Sequence, residues 1–364
     1  MIRQSFIIPI IKVTDSCNYS CDFCYYAQRK LHSPLMSREL CKKIIRECFL
    51  YNLKQGNNKM RIIFHGGEPL LQPLSFYEEI VNFEKKLAKD IRNFEFFNSI
   101  QTNGYHINQR LVNFFKQESF DIGISIDGPC DLNNHYNKEE GQNSCSSTVL
   151  NNILLLQNAN LPFGIISVIT NNHLSRALDI YNFCKDNNFH DLSLNYCYNS
   201  EILSNTVENA GLQAFLKELF DLYFYGDYEL NIREFNEMIA KAMGYCTDTC
   251  ATCDRKNCGQ YLSFDMQGNV FFCDSGYDKT TRIGNIIQSS IYEVLDSFDY
   301  IKKIYECRKV YYEFCSHCDV KNLCGGSCHR YDLIKNSEYI NNYFCSTHKF
   351  LAKYIKSKLE QNVT

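Results

Sequence analysis

The chain has 364 residues, with 38 Lys+Arg against 41 Asp+Glu and a formal net charge of -3. Without a basic excess it is not a general nucleic-acid binder, and 45% hydrophobic with 22% charged residues excludes a disordered chain. The length suggests two or three domains, and the outlying feature is 20 cysteines.

The opening run Phe6-Ile7-Ile8-Pro9-Ile10-Ile11 is short, broken by Pro9, and lacks a small-residue cleavage site. It reads as a first strand rather than an export signal. No apolar stretch reaches the roughly 18 residues of a membrane span, so no membrane partner is expected. A cysteine-rich chain without an export signal is expected to be cytoplasmic, where metal sites explain cysteines better than disulfides do.

Strand patterns rich in Ile, Val, Phe or Leu fall at 7–13, 60–65, 94–101, 121–126, 162–169 and 191–196. Amphipathic stretches of helical length at 37–53, 75–89, 107–117, 147–158, 174–187 and 207–225 alternate with them. Such alternation gives an α/β fold of parallel strands with crossover helices. Six units are too few for a closed eight-stranded barrel, so residues 1–235 are expected to form a partial (β/α)6 barrel of TIM type. The character then changes. Between Cys246 and Cys345 lie 11 of the 20 cysteines, with several glycine turns and one helical stretch at 290–304. Residues 236–345 are expected to form a small cysteine-rich domain, and 346–364 a Lys-rich closing helix.

The loop after the first strand contains Cys17-Asn18-Tyr19-Ser20-Cys21-Asp22-Phe23-Cys24. Three thiolates at this spacing can hold a four-iron, four-sulfur cube and leave one iron open to a substrate. A zinc site and three unrelated buried thiols are the alternatives. The second strand ends in Phe64-His65-Gly66-Gly67-Glu68-Pro69. Two glycines there allow a ligand to approach the backbone, and Glu68 can accept from an ammonium group. Barrel enzymes carry their active sites at the carboxyl ends of the strands.

Together these motifs resemble the radical S-adenosylmethionine enzymes. The resemblance implies that Cys17, Cys21 and Cys24 hold the cluster whose open iron binds the methionine end of the cofactor. It implies that Phe23 packs near the adenine and that Gly66, Gly67 and Glu68 meet the methionine amino group. The third and fourth strands end in Gln101-Thr102-Asn103-Gly104 and Ser125-Ile126-Asp127-Gly128-Pro129, and the resemblance assigns Ser125 to cofactor contact.

The second half resembles the SPASM extension of that family. Cys258 precedes Gly268 and Cys273, and Cys315-x2-Cys318-x5-Cys324-x3-Cys328 leads to Cys345. The resemblance implies two auxiliary four-iron clusters. Cys253, Cys258, Cys273 and Cys328 would hold the first, with Cys250 as the substitute if Cys253 does not serve. Cys315, Cys318, Cys324 and Cys345 would hold the second. Two zinc sites are the alternative. Most of the remaining cysteines read as small buried apolar residues.

Over nearly its whole length the chain is most similar to the anaerobic sulfatase-maturating enzymes, down to Cys273-Asp274 and Arg282-x-Gly284-Asn285-Ile286. The similarity implies oxidation of a Cys or Ser side chain on a target protein or peptide to formylglycine through a 5′-deoxyadenosyl radical. Asp274 would be the base, and an external one-electron reductant such as flavodoxin or ferredoxin would feed the clusters. Two segments depart from the pattern. An Arg expected after the fourth strand is Asn137, and Ser275-Gly276-Tyr277 is less aromatic than the family version. Maturation of a ribosomally made peptide, by thioether or carbon–carbon cross-linking or by epimerisation, is the alternative.

Overall fold

A computed structural model describes residues 4–24, 34–89, 91, 94–133, 135–137, 142–143, 147–198, 207–245, 250, 255–274, 281–332 and 343–362. In chain order the strands are β1 (Ile8–Lys12), β2 (Tyr19–Cys21), β3 (Lys59–His65), β4 (Glu95–Thr102), β5 (Asp121–Ser125), β6 (His135–Asn137), β7 (Gln142–Asn143), β8 (Phe163–Ile169), β9 (Asp191–Tyr196), β10 (Asn231–Ile232), β11 (Tyr261–Phe264), β12 (Asn269–Phe271) and β13 (Arg282–Asn285). The helices are α1 (Arg38–Lys54), α2 (Leu74–Ala88), α3 (Gln109–Gln117), α4 (Ser147–Asn158), α5 (Ala177–Asp186), α6 (Asn209–Tyr225), α7 (Arg233–Ala242), α8 (Ile291–Leu295), α9 (Phe298–Lys309), α10 (Lys321–Cys324) and α11 (Cys345–Asn362). The six strands expected from the sequence all form, as β1, β3, β4, β5, β8 and β9. The helical stretch expected at 290–304 is divided into α8 and α9.

Two compact units result, and neither is continuous in sequence. The first comprises Met1–Ser125, His135–Phe163 and Gly259–Ile304. Its strands run in the order β5-β4-β3-β1-β11-β12-β13. β1 pairs in parallel with β3 on one side and with β11 on the other, with Ile10 opposite Ile63 and Ile8 opposite Tyr261. All five residues of β1 are buried, as befits a strand with neighbours on both sides. Sequence position alone puts β11–β13 in the cysteine-rich domain. The structure instead gives them to the first unit, where β11 covers what would otherwise be an open β1 edge. Helix α1 begins at a Ser37 cap that accepts from the Leu40 N–H and buries Cys41, Ile44, Ile45, Cys48 and Phe49.

The second unit comprises Ile126–Asn134, Gly164–Cys258 and Tyr305–Thr364. Its strands run β10-β9-β8, all parallel, with Ile165 opposite Leu192 and Asn231 opposite Asp191. The closing helix α11 packs on α6 and α7, where the Tyr354 hydroxyl donates to Asp221 and its ring meets Phe220 edge-on. No helix among the described residues is long and apolar enough to cross a membrane.

Candidate cofactor and cluster sites

In the first unit the motif residues gather at the carboxyl ends of β1, β3, β4 and β5. The loop after β1 is bound to the segment after β3 by backbone hydrogen bonds, from Val13 N to His65 O at 3.0 Å, Gly67 N to Thr14 O at 2.8 Å and Glu68 N to Ser16 O at 2.8 Å. A Cβ on Gly66 would collide with the Thr14 carbonyl, and one on Gly67 with the Ser16 carbonyl. Gly66 also sits at φ +136°, a conformation that favours glycine. Here the two glycines let the cysteine loop itself approach.

Glu68 is fully buried. Its carboxylate accepts from Leu70 N at 2.8 Å, Thr102 Oγ1 at 2.7 Å and Asn103 N at 2.8 Å. Burial pushes its carboxyl up to about 7, against the lowering effect of those donors. Glu68 therefore ties the ends of β3 and β4 together. Asn103 continues the tie, donating to Asn18 Oδ1 at 2.8 Å and lying 3.8 Å from Cys17 Sγ. The Ser125 hydroxyl accepts from Gln101 Nε2 at 3.1 Å. Phe23 is half-buried in the turn between Cys21 and Cys24.

Cys17, Cys21 and Cys24 form no disulfide and are half-buried. Burial first, then the negative charge of Glu68, pushes the Cys17 thiol up to about 12, and the charges of Cys21 and Cys24 add to it. The three thiols thus share one small space, and a bound cation is what turns such buried thiols into thiolates. The Asn18 side-chain nitrogen Nδ2 is buried without a hydrogen-bond partner among the described residues. This donor set fits an iron cluster. The segment carrying the Asn137 departure lies directly beside it, since β6 pairs antiparallel with β2, Tyr19 opposite Asn137 and Cys21 opposite His135.

Asp274 is held by a residue that sequence reasoning missed. Lys12 ends β1, is fully buried, and pairs through Nζ with Asp274 Oδ1. A buried ammonium needs such an anion. The Asp274 side chain keeps 28% of its surface exposed. His65 lies opposite Lys12 in the β1–β3 register. Burial, then the Lys12 charge, pulls its imidazole down to about 4. The available signal was a lone cation closing the apolar strand Ile8-Pro9-Ile10-Ile11-Lys12.

In the second unit Cys315, Cys318, Cys324 and Cys345 come together. Burial, then the charges of its three companions, raises Cys324 to about 12 even though the Gly326 N–H opposes it. Burial also raises Cys315 and Cys345, each with contributions from other members of the set. Gly325 follows α10 at φ +67° and reverses the chain. Cys328 follows three residues later and is buried. Arg255, unremarked in the sequence, staples this loop. Its guanidinium is buried, grips Asp332 through both terminal nitrogens at 3.0 and 2.5 Å, and donates to Gly326 O at 2.8 Å. Beside it, the hydrogen bond with Cys307 and then burial raise the Cys258 thiol, and the charges of Cys250 and Cys328 add to them. Cys253 lies outside the described residues, and Cys273 belongs to the first unit. Of the unassigned cysteines, Cys41, Cys48, Cys184, Cys197 and Cys307 are buried, as expected of small apolar residues. Cys130 differs, being exposed and disulfide-bonded.

The profile of the Radical SAM superfamily matches residues 11–184. That span begins in β1 and includes all three cysteines of the first set and the Gly66-Gly67-Glu68 tie.

The chain carries a radical S-adenosylmethionine domain over residues 11–184.

A second profile, an iron–sulfur cluster-binding domain named SPASM, matches residues 253–319. The chain is 28% identical over 374 aligned residues to a cysteine-type anaerobic sulfatase-maturating enzyme of Clostridium novyi, covering 98% of this chain and 96% of that protein. It is 27% identical to a serine-type anaerobic sulfatase-maturating enzyme of Bacteroides thetaiotaomicron, covering 90% of this chain and 84% of the other. Among solved structures it resembles native anSMEcpe with bound AdoMet and Cp18Cys peptide, at TM-score 0.85 and 25% identity over 98% of this chain and 99% of that one. The radical SAM enzyme described here therefore combines a parallel α/β fold with a SPASM domain. Its two matched profiles are a radical SAM domain and an iron–sulfur cluster-binding domain, and the relatives named above are sulfatase-maturating enzymes.

Proposed function

We propose that this radical SAM enzyme oxidises a cysteine or serine side chain within a target polypeptide to formylglycine. The observation that carries the reading is the Lys12–Asp274 pair. It holds a partly open carboxylate on the strand that leads into the Cys17 loop. When bound, the cluster and S-adenosylmethionine supply a 5′-deoxyadenosyl radical that removes one hydrogen atom from the substrate β-carbon. The remaining side chain must lose one proton and one electron to become a thioaldehyde or an aldehyde. Asp274 would take that proton, and an auxiliary cluster held by the SPASM cysteines would supply a sink for the electron. For cysteine, water then replaces sulfur, giving the aldehyde and hydrogen sulfide. A carboxylate fixed by a buried ammonium suits general-base work because its orientation is set before the substrate arrives.

In this reading Cys17, Cys21 and Cys24 hold the radical cluster, and Phe23, Gly66, Gly67, Glu68 and Ser125 shape the cofactor pocket. Glu68 acts by fixing backbone, since its carboxylate is engaged by three donors. The SPASM cysteines divide into two sets as the family resemblance assigns them. A flavodoxin or ferredoxin in the cytoplasm supplies the electrons. Mass spectrometry of cysteine- and serine-containing sulfatase peptides, incubated with reduced enzyme and S-adenosylmethionine, tests the reading. Exchange of the cysteine S–H and one β-hydrogen for a carbonyl oxygen, or loss of two hydrogens from serine trapped by a hydrazide probe, supports it. Loss of two hydrogens from a cysteine peptide with sulfur retained in a new ring would instead show cross-linking.

A further inference from the structure

Outside the assigned cluster sets, one group of potential ligands stands out. Cys307 on α9 and His329, which follows Cys328, converge on Cys258, and the three ligand atoms all lie within 4.8 Å of one another. Cys258 and Cys307 are buried and their side chains are hydrogen-bonded to each other. The resemblance to SPASM domains makes Cys258 a ligand of an auxiliary cluster but gives no role to Cys307 or His329.

The spacing argues against Cys307 as one more corner ligand of the same cube. Thiolates on different irons stand apart by two metal–sulfur bonds of about 2.3 Å each plus the width of the cube between them. Atoms mutually within 4.8 Å do not span that. They do suit contacts from outside the cluster to a single ligand sulfur. Hydrogen bonds to cluster thiolates stabilise the more negative, reduced state and so raise the reduction potential.

We propose that Cys307 and His329 are positioning residues that donate hydrogen bonds to the Cys258 sulfur and set the potential of the auxiliary cluster that Cys258 ligates. The inference rests on the reading of Cys258 as a cluster ligand. It gives that cluster a higher potential than its ligand set alone would, which favours it as acceptor of the substrate electron.

The test uses full-length, anaerobically reconstituted protein with Cys17, Cys21 and Cys24 all changed to Ala, so that only auxiliary clusters contribute. Potentiometric titration followed by electron paramagnetic resonance then reads their midpoints. Adding Cys307→Ala should leave iron and sulfide content unchanged and move one midpoint to a more negative potential, with the other unmoved. Cys307→Ser, which keeps a donor, should restore most of the shift, and His329→Phe should shift the same midpoint in the same direction. Loss of about four irons per chain on Cys307→Ala would make Cys307 a ligand and overturn the proposal, as would midpoints that do not move. The companion Cys258→Ala variant separates the two levels. If it retains both clusters, the ligand reading itself fails, whatever Cys307 does.

Discussion

Lys12 and Asp274 form an ion pair between the last residue of β1 and the residue after Cys273. The lysine is fully buried while the aspartate is partly open, so one partner is fixed and the other faces outward. Asp274→Asn should still release 5′-deoxyadenosine but lose formation of modified peptide by at least about 100-fold, the scale of a lost general base. Lys12→Met should weaken product formation roughly tenfold or more through misplacement of the carboxylate, with cofactor cleavage retained. Product at the normal rate from Asp274→Asn would show that the base lies elsewhere.

Gly67→Ala tests how the cysteine loop is seated. The added methyl meets the Ser16 carbonyl and the carbon atoms around it, all of them backbone, so no side chain can move aside. The loop must shift, and the variant should lose the radical cluster although every cysteine remains. Iron analysis and S-adenosylmethionine binding by equilibrium dialysis measure this. Full iron with normal binding would show that the close approach of the two segments is dispensable.

Cys17→Ala should abolish reductive cleavage of S-adenosylmethionine and leave most auxiliary iron in place. Cys315, Cys318, Cys324 and Cys345 belong wholly to the second unit, whereas Cys17 belongs to the first. Iron and acid-labile sulfide assays on the purified variant give the answer. Complete loss of iron would mean that the clusters do not assemble independently.

Glu84 on α2 offers a pH test remote from the chemistry. It is buried, accepts from Asn98 Nδ2 at 2.7 Å, and burial pushes its carboxyl up to about 8 from an ordinary 4.5. The folded state therefore holds this proton more tightly than the unfolded chain does. The stability it contributes is fully present below about pH 4.5 and is lost as pH rises through about 8. The scale is roughly 1.4 kcal/mol per unit of displacement. Glu84→Gln removes the dependence, so its thermal midpoint should exceed that of the unaltered protein near about pH 8.5 and match it near about pH 5. Equal differences at both pH values would contradict the burial argument.

Local pattern was enough to read the parallel strands. β9 spans Asp191–Tyr196, the range expected from its apolar run, because strand-forming residues between turn signals leave few alternatives. The cysteine spacing likewise put three thiols in one loop, since residues within eight positions of sequence need no tertiary information to lie together. What the sequence hid was non-local. Tyr261–Phe264 reads as part of a cysteine-rich segment, yet it pairs with β1 from the far end of the chain. Lys12 is a visible anomaly in its strand, but nothing local to it names Asp274. Arg255 looks like an exposed turn residue until Asp332 and the Gly326 carbonyl enclose it. Glu68 was legible as a site residue by its position, whereas its role as a tie depends on donors from β4 and the turn after it.

The most direct measurement is 5′-deoxyadenosine release from anaerobically reconstituted protein supplied with S-adenosylmethionine and a strong one-electron reductant. Release should require the reductant, rise when a suitable peptide is added, and vanish in Cys17→Ala. Fully iron-loaded, reduced protein that binds the sulfonium yet yields no 5′-deoxyadenosine would contradict the account at its root.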